Sequence, residues 1–247
     1  MKYFAKTDVG MVRELNEDTY LVKEYKDATL FAVFDGMGGA QAGETASAIA
    51  KEEVEKYFDG FFRDFGRTEP AAIQAALASA ADRANFKIFS LASANKEYEG
   101  MGTTMVAALH ISDKVYIANV GDSRAYLIDK DGAYQITHDH SFVQYLVDIG
   151  KLTPEEARVS SKKNIITRAV GVDKEVSVDV TVLEKKQYKN RTLLLCSDGL
   201  SNYIDRKALA ALAKECDDCE ALCTSLINTA NDAGGSDNIT AIVAKLK

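Results

Sequence analysis

Apolar and polar positions alternate in period along the chain, and the changes of period mark its elements. Residues 2–8, 19–25 and 29–34 read as short strands; Thr29-Leu30-Phe31-Ala32-Val33-Phe34 is almost wholly apolar, the pattern of a strand covered on both faces. A helix is predicted from Gln41 to Phe62, with Ala46, Ile49, Val54, Tyr57, Phe58 and Phe61 as its apolar stripe. A second follows from Pro70 to Ala94, where Ile73, Leu77, Ala80, Ala84, Ile88 and Leu91 recur at helical spacing. Strand patterns then dominate: 103–110, 115–120, 123–128 and 133–136, the last two joined by a turn at Asp131-Gly132. A polar, helical insert is predicted over 141–167, with a capping-box start at Thr153-Pro154-Glu155-Glu156. Strands resume at 176–183 and 192–196, helices at 205–213 and 219–232, and a strand at 238–246. Strands framed by two early and two late helices predict an α+β fold, sheets packed together with helices outside, in a single domain over 1–247.

Composition narrows the function. The chain has 247 residues, 47% of them apolar, with 30 basic against 37 acidic side chains and a net charge of −7. Without a basic block it is a poor binder of nucleic-acid phosphates. No apolar run approaches the ~18 residues of a membrane span, and Met1–Asp8 lacks the apolar stretch of a signal peptide, so the expected location is cytoplasmic. Cys216, Cys219 and Cys223 are spaced three and four apart, as on one buried helix face. None of the four cysteines has an arginine six positions later, so a cysteine-nucleophile phosphatase loop is absent.

The candidate chemistry lies in aspartates. Three apolar strands lead into Asp35-Gly36, Gly121-Asp122 and Asp198-Gly199; Asp237 precedes the final strand and Asp18 the second. Carboxylates gathered at one rim would raise one another's pKa unless cations neutralised them. All-oxygen donors favour Mg²⁺ or Mn²⁺ over Zn²⁺. Gly36-Met37-Gly38-Gly39 lacks the lysine of a P-loop, Gln41 takes the place of the last glycine of a dinucleotide fingerprint, and no Gly-x-Ser-x-Gly elbow exists.

The ordered blocks Thr7-Asp8-Val9-Gly10, Arg13 to Asp18, Asp35 to Gly39, Gly102-Thr103-Thr104, Asn119 to Arg124, Asp139-His140-Ser141, Asn164 to Gly171, Ser197 to Leu200 and Ser236 to Thr240 resemble the metal-dependent protein phosphatases of the phosphatase 2C type, in particular their compact bacterial branch. The resemblance implies a four-layer αββα sandwich, two antiparallel sheets flanked by helix pairs. It implies two Mn²⁺ or Mg²⁺ ions bridged by Asp35, with the Gly36 carbonyl, Asp18, Asp198 and Asp237 completing the shell, and a weaker third ion on Asp122 and Asp198. Arg13 matches the phosphate-binding arginine, and 141–167 the variable flap. The implied activity is hydrolysis of phosphoserine and phosphothreonine in proteins by a water bridging the two ions. A monomer opposing a Ser/Thr protein kinase and acting on its substrates is expected. The alternatives are a catalytically silent phosphoprotein-binding module and a phosphatase of small phosphate esters. The chain departs from the family at Met37 and Ala40, where eukaryotic and bacterial members respectively carry histidine, and at Ser160-Ser161, in place of a flap histidine.

Overall fold

A computed structural model of the protein describes residues 1–38, 42–65 and 69–246. The strands are β1 (Lys2–Asp8), β2 (Asp18–Glu24), β3 (Ala28–Met37), β4 (Gly102–Thr103), β5 (Met105–Ile111), β6 (Lys114–Val120), β7 (Arg124–Ile128), β8 (Ala133–Gln135), β9 (Asp179–Glu184), β10 (Thr192–Cys196) and β11 (Ile239–Lys245). The helices are α1 (Ala42–Phe65), α2 (Pro70–Ala94), α3 (Phe142–Asp148), α4 (Pro154–Val159), α5 (Lys185–Tyr188), α6 (Asp198–Ser201), α7 (Arg206–Glu215) and α8 (Cys219–Asp232). Among the described residues one sheet runs β1-β11-β10-β7-β8 and the other β2-β3-β5-β6-β9, with β4 beside β3; every pairing is antiparallel.

Strand alternation builds the layers. In β3, Phe31 and Val33 face the other sheet, where they join Val106, Ile117, Leu193, Leu195 and Ile242 in the central core. Leu30, Ala32 and Phe34 face the opposite way, into a core shared with Ala46, Val54 and Phe58 of α1 and Leu77 and Ile88 of α2. The second sheet does the same with Leu194, Cys196, Ala241 and Val243 against Leu222, Cys223, Leu226 and Ile227 of α8. This is the αββα sandwich, and it explains why the 29–34 run carries no polar face.

Several boundaries differ from expectation. The predicted start of the first helix at Gln41 lies outside the described residues, as do Gly39 and Ala40. The strand predicted to end at Phe34 continues to Met37, because β4 pairs Thr103 with Gly36 and Gly102 with Met37. The predicted 103–110 strand is interrupted at Thr104, though its register is unbroken: Val106 faces Val33 and Thr103 faces Gly36. At the interruption the Asp35 amide donates to the Thr104 hydroxyl (3.1 Å). Of the 141–167 insert only α3 and α4 are helical; α4 has the expected capping box at Thr153 and Glu156. The Asp131-Gly132 hairpin forms, with Asp129 Oδ1 accepting from the amides of Asp131 (2.8 Å) and Gly132 (3.1 Å). Cys216 caps the end of α7 while Cys219 and Cys223 lie in α8, so the three do not share a helix face.

Candidate functional site

One end of the sandwich collects the aspartates from both sheets. Asp18 opens β2 directly opposite Asp35 on β3. Asp122 follows β6, Asp198 follows β10 at the start of α6, and Asp237 precedes β11. Sequence neighbours hold each in place. Ser197 Oγ donates to Asp18 Oδ2 (2.7 Å) and accepts from the Thr240 amide (2.9 Å), stitching the two sheets together beneath the cluster. Asn202 Nδ2 donates to Asp198 Oδ2 (3.0 Å), one helical turn on. Arg13 Nη2 donates to Asp237 Oδ2 (3.0 Å) from a half-exposed position.

Gly36 is required where it stands. A Cβ there would lie 2.1 Å from the Gly43 carbonyl oxygen and 2.6 Å from that of Glu17. The close approach draws in Glu17, to which sequence reasoning gave no role. Its backbone carbonyl accepts from the Gly36 amide (3.2 Å), and its buried Oε1 has no hydrogen-bond partner. Burial, first, holds its carboxyl above the usual range.

The electrostatics follow from burying like charges together. Burial and then Asp198 and Asp237 push Asp18 up to about 7, against the opposing hydrogen bonds of Ser197 and Thr240. Burial and then Asp237 push Asp198 up to about 6; Asn202, Arg124 and Lys163 pull the other way, so Lys163 reaches the cluster's field. Asp35 is raised well above the carboxylate range by burial and by Asp18, Asp198, Asp122 and Asp237 in that order. Asp122 is likewise raised, by burial and then Asp198 and Asp139, and its buried Oδ1 has no partner. Among the described residues no three such side chains are already closed into a ligand cage. The cluster is a ring of mutually repelling neighbours. Its donors are all oxygen, Asp18 and Asp122 buried, Asp35, Asp198 and Asp237 half-buried, and Asp122 Oδ1 orphaned, which fits a hard divalent cation.

The histidines stand outside this ring. His110 packs edge-on against Tyr188, and exposed His138 meets Asp148 (Nε2 to Oδ2, 2.9 Å). His140 Nδ1 accepts from the Gly121 amide (3.0 Å), and its Nε2 sits between Asp179 Oδ2 (3.1 Å) and Arg168 Nη1 (2.9 Å). Burial lowers its pKa. The imidazole is held neutral as a brace for the turn that carries Asp122.

The model of the protein phosphatase 2C family matches residues 12–244. The serine/threonine phosphatase stp of Listeria innocua is 37% identical over 241 residues, covering 97% of this chain and 94% of the relative. The crystal structure of serine/threonine phosphatase Stp1 from Staphylococcus aureus superposes with a TM-score of 0.91 at 38% identity, covering 99% of this chain and 94% of that one. The catalytic domain of the phosphatase PstP, solved with two manganese ions, gives 0.85 at 34% identity, covering 100% and 98%.

Proposed function

Because the chain belongs to the protein phosphatase 2C family and is a phosphoprotein phosphatase, we propose that it hydrolyses phosphoserine and phosphothreonine in proteins at the aspartate cluster, with two divalent cations, Mn²⁺ or Mg²⁺. The observation that carries this reading is the gathering of Asp18, Asp35, Asp122 and Asp198, buried or half-buried, at one end of the sheets, where their mutual repulsion calls for positive charge. Asp35, the Gly36 carbonyl, Asp18, Asp198 and Asp237 would hold the two ions. Asp122, with its orphaned Oδ1, would join Asp198 on a weaker third. When bound, the ions supply the charge that makes water nucleophilic near neutral pH and offsets charge on the phosphoryl group.

The chain's own residues do the rest. Arg13, anchored through one nitrogen on Asp237, presents a planar fork suited to two phosphate oxygens. Ser197 and Asn202 hold the Asp18 and Asp198 carboxylates to fixed orientations, which lowers the reorganisation needed during the reaction. No described histidine lies in the cluster, so water protonates the departing serine or threonine oxygen. The cellular role that fits this chemistry is reversal of a Ser/Thr protein kinase on the kinase's own substrates.

A phosphothreonine peptide with Mn²⁺ is the test. Turnover that EDTA abolishes and Mn²⁺ restores is expected. Absence of turnover with Mn²⁺ bound would leave a silent phosphoprotein-binding module, and turnover of small esters alone would redefine the substrate.

A further inference from the structure

Beside Arg13 the protein displays apolar side chains where water should be. Of the twelve large apolar side chains exposed among the described residues, Val9, Met11, Val12 and Leu15 fall within seven consecutive positions. Met11 and Val12 are 68% and 67% exposed, against nearly complete burial of the core. Scattered exposed apolar residues are ordinary; a local cluster beside a site is not.

This segment is clamped. Buried Asn238 donates through Nδ2 to the carbonyls of Val9 (2.9 Å) and Leu15 (2.8 Å), closing both ends of the loop. The Met11 amide donates to the Gly235 carbonyl (2.7 Å). Gly10 has φ +83°, and a Cβ on it would lie 2.2 Å from the Asp237 carbonyl oxygen, so the loop already presses against the backbone of the cluster. Met11 and Val12 therefore cannot turn inward without breaking the frame that also carries Asp237 and Arg13.

Building on the phosphoprotein reading above, we propose that Met11 and Val12 form a platform for an apolar side chain flanking the phosphorylated residue of the substrate, and so select phosphoprotein segments with an aliphatic residue near the phosphosite. Continuity with the site supports the assignment. The Met11 and Val12 Cα atoms lie within roughly 8 Å of that of Arg13, and an extended peptide places its three residues on either side of the phosphosite within about 10 Å. A substrate that sets its phosphate on Arg13 passes over the platform.

The experiment uses the Mn²⁺-loaded full chain and phosphothreonine peptides in a serine-glycine background, with leucine moved through the three positions on each side. Each kcat/KM is divided by the same preparation's rate on p-nitrophenyl phosphate. Leucine at one or more positions should raise the wild-type ratio about tenfold, the worth of burying on the order of 50 Å² of apolar surface. The Met11→Ser/Val12→Ser double variant should lose that preference. A leucine effect below twofold at every position, or one that survives the double substitution, overturns the platform while leaving the phosphatase reading intact. A wild-type dimer in sedimentation that the double variant lacks also overturns it, assigning the patch to a second copy. Absence of Mn²⁺-dependent turnover of every peptide and of p-nitrophenyl phosphate is instead the failure of the underlying phosphatase reading.

Discussion

Asp18 and Asp35 face each other across the β2–β3 pair, two carboxylates in directly opposed register within a sheet. Like charges so placed repel and weaken strand pairing. Asp35→Asn should therefore abolish turnover, by at least about a hundredfold for loss of a group on which catalytic charge depends. It should also raise the melting temperature of the EDTA-treated protein. Wild type should instead gain stability from Mn²⁺, by about 2.7 kcal/mol at a hundredfold excess over Kd. Differential scanning calorimetry with and without EDTA checks both; an unaltered wild-type transition would remove the cation from the site.

Gly36→Ala is expected to be more damaging than a one-methyl change suggests. The added Cβ would sit inside the van der Waals radii of the Gly43 and Glu17 carbonyl oxygens. Since both are backbone, relief requires moving α1 or the 13–18 segment. A loss of about 2 kcal/mol or more in denaturant unfolding is expected, with turnover lost in whatever remains folded.

Arg13 holds Asp237 and should hold the substrate phosphate. Arg13→Ala should raise KM for a phosphothreonine peptide and lower kcat if the contact tightens in the transition state. Arg13→Lys should restore only part of the loss, because one ammonium cannot reproduce the fork. Because the Arg13–Asp237 pair is half exposed, unfolding stability should change by less than about 1 kcal/mol. Steady-state kinetics that match wild type in both variants would make Arg13 a surface residue.

Asp122→Ala should remove a weak Mn²⁺ binding step in titration calorimetry while the tight steps persist, with turnover reduced. Losing a tight step would move Asp122 into the main pair of ions.

His140 sets a pH dependence of stability. Its pKa is lowered in the folded protein, so below about 6.5 the unfolded chain binds a proton that the native state resists. That contribution is fully present above that pH and is lost as pH falls toward the folded-state pKa, while in the metal-free protein Asp18 and Asp198, raised to about 7 and about 6, act in the opposite sense. His140→Asn, which keeps an acceptor for the Gly121 amide but does not titrate, should raise the melting temperature at pH 5.5 relative to that at pH 7.5, compared with wild type. An unchanged difference between the two pH values would point to another group. Neither that variant nor His138→Ala should slow phosphothreonine hydrolysis a hundredfold, the loss expected of a general acid.

Elements with self-contained signals were legible to the residue. The helix at Pro70–Ala94 has proline in its first turn and an unbroken apolar period, and Cys219–Asp232 begins behind the Asp218 cap. Boundaries set by a distant partner were not. Nothing near Asp35 indicates that the strand continues to Met37, because the cause is Gly102-Thr103, some 66 residues on. Likewise Cys216 fits a helical spacing with Cys219, yet Asp218 starts a new helix between them. Asp35, Asp122 and Asp198 stood out because each ends an apolar strand beside a glycine, and Asp18 and Asp237 because each stands just ahead of a strand. Glu17, Ser197, Asn202 and Asn238 did not, since their roles are hydrogen bonds and close approaches across the fold. Asn238 ties itself to Val9, Leu15 and Glu17 over more than 220 positions, and no local pattern encodes such a bond.

Strand β11 lies between β1 and β10, so β1, near the start of the chain, takes its place in the sheet only through residues some 231 positions later. At ~5–20 residues per second a ribosome needs roughly 10–50 s to travel that distance. Through that interval the nascent chain holds β1 without its neighbour, and Arg13 without Asp237. The site therefore cannot assemble until Asp237 and β11 have been made, long after Arg13 and Asp18.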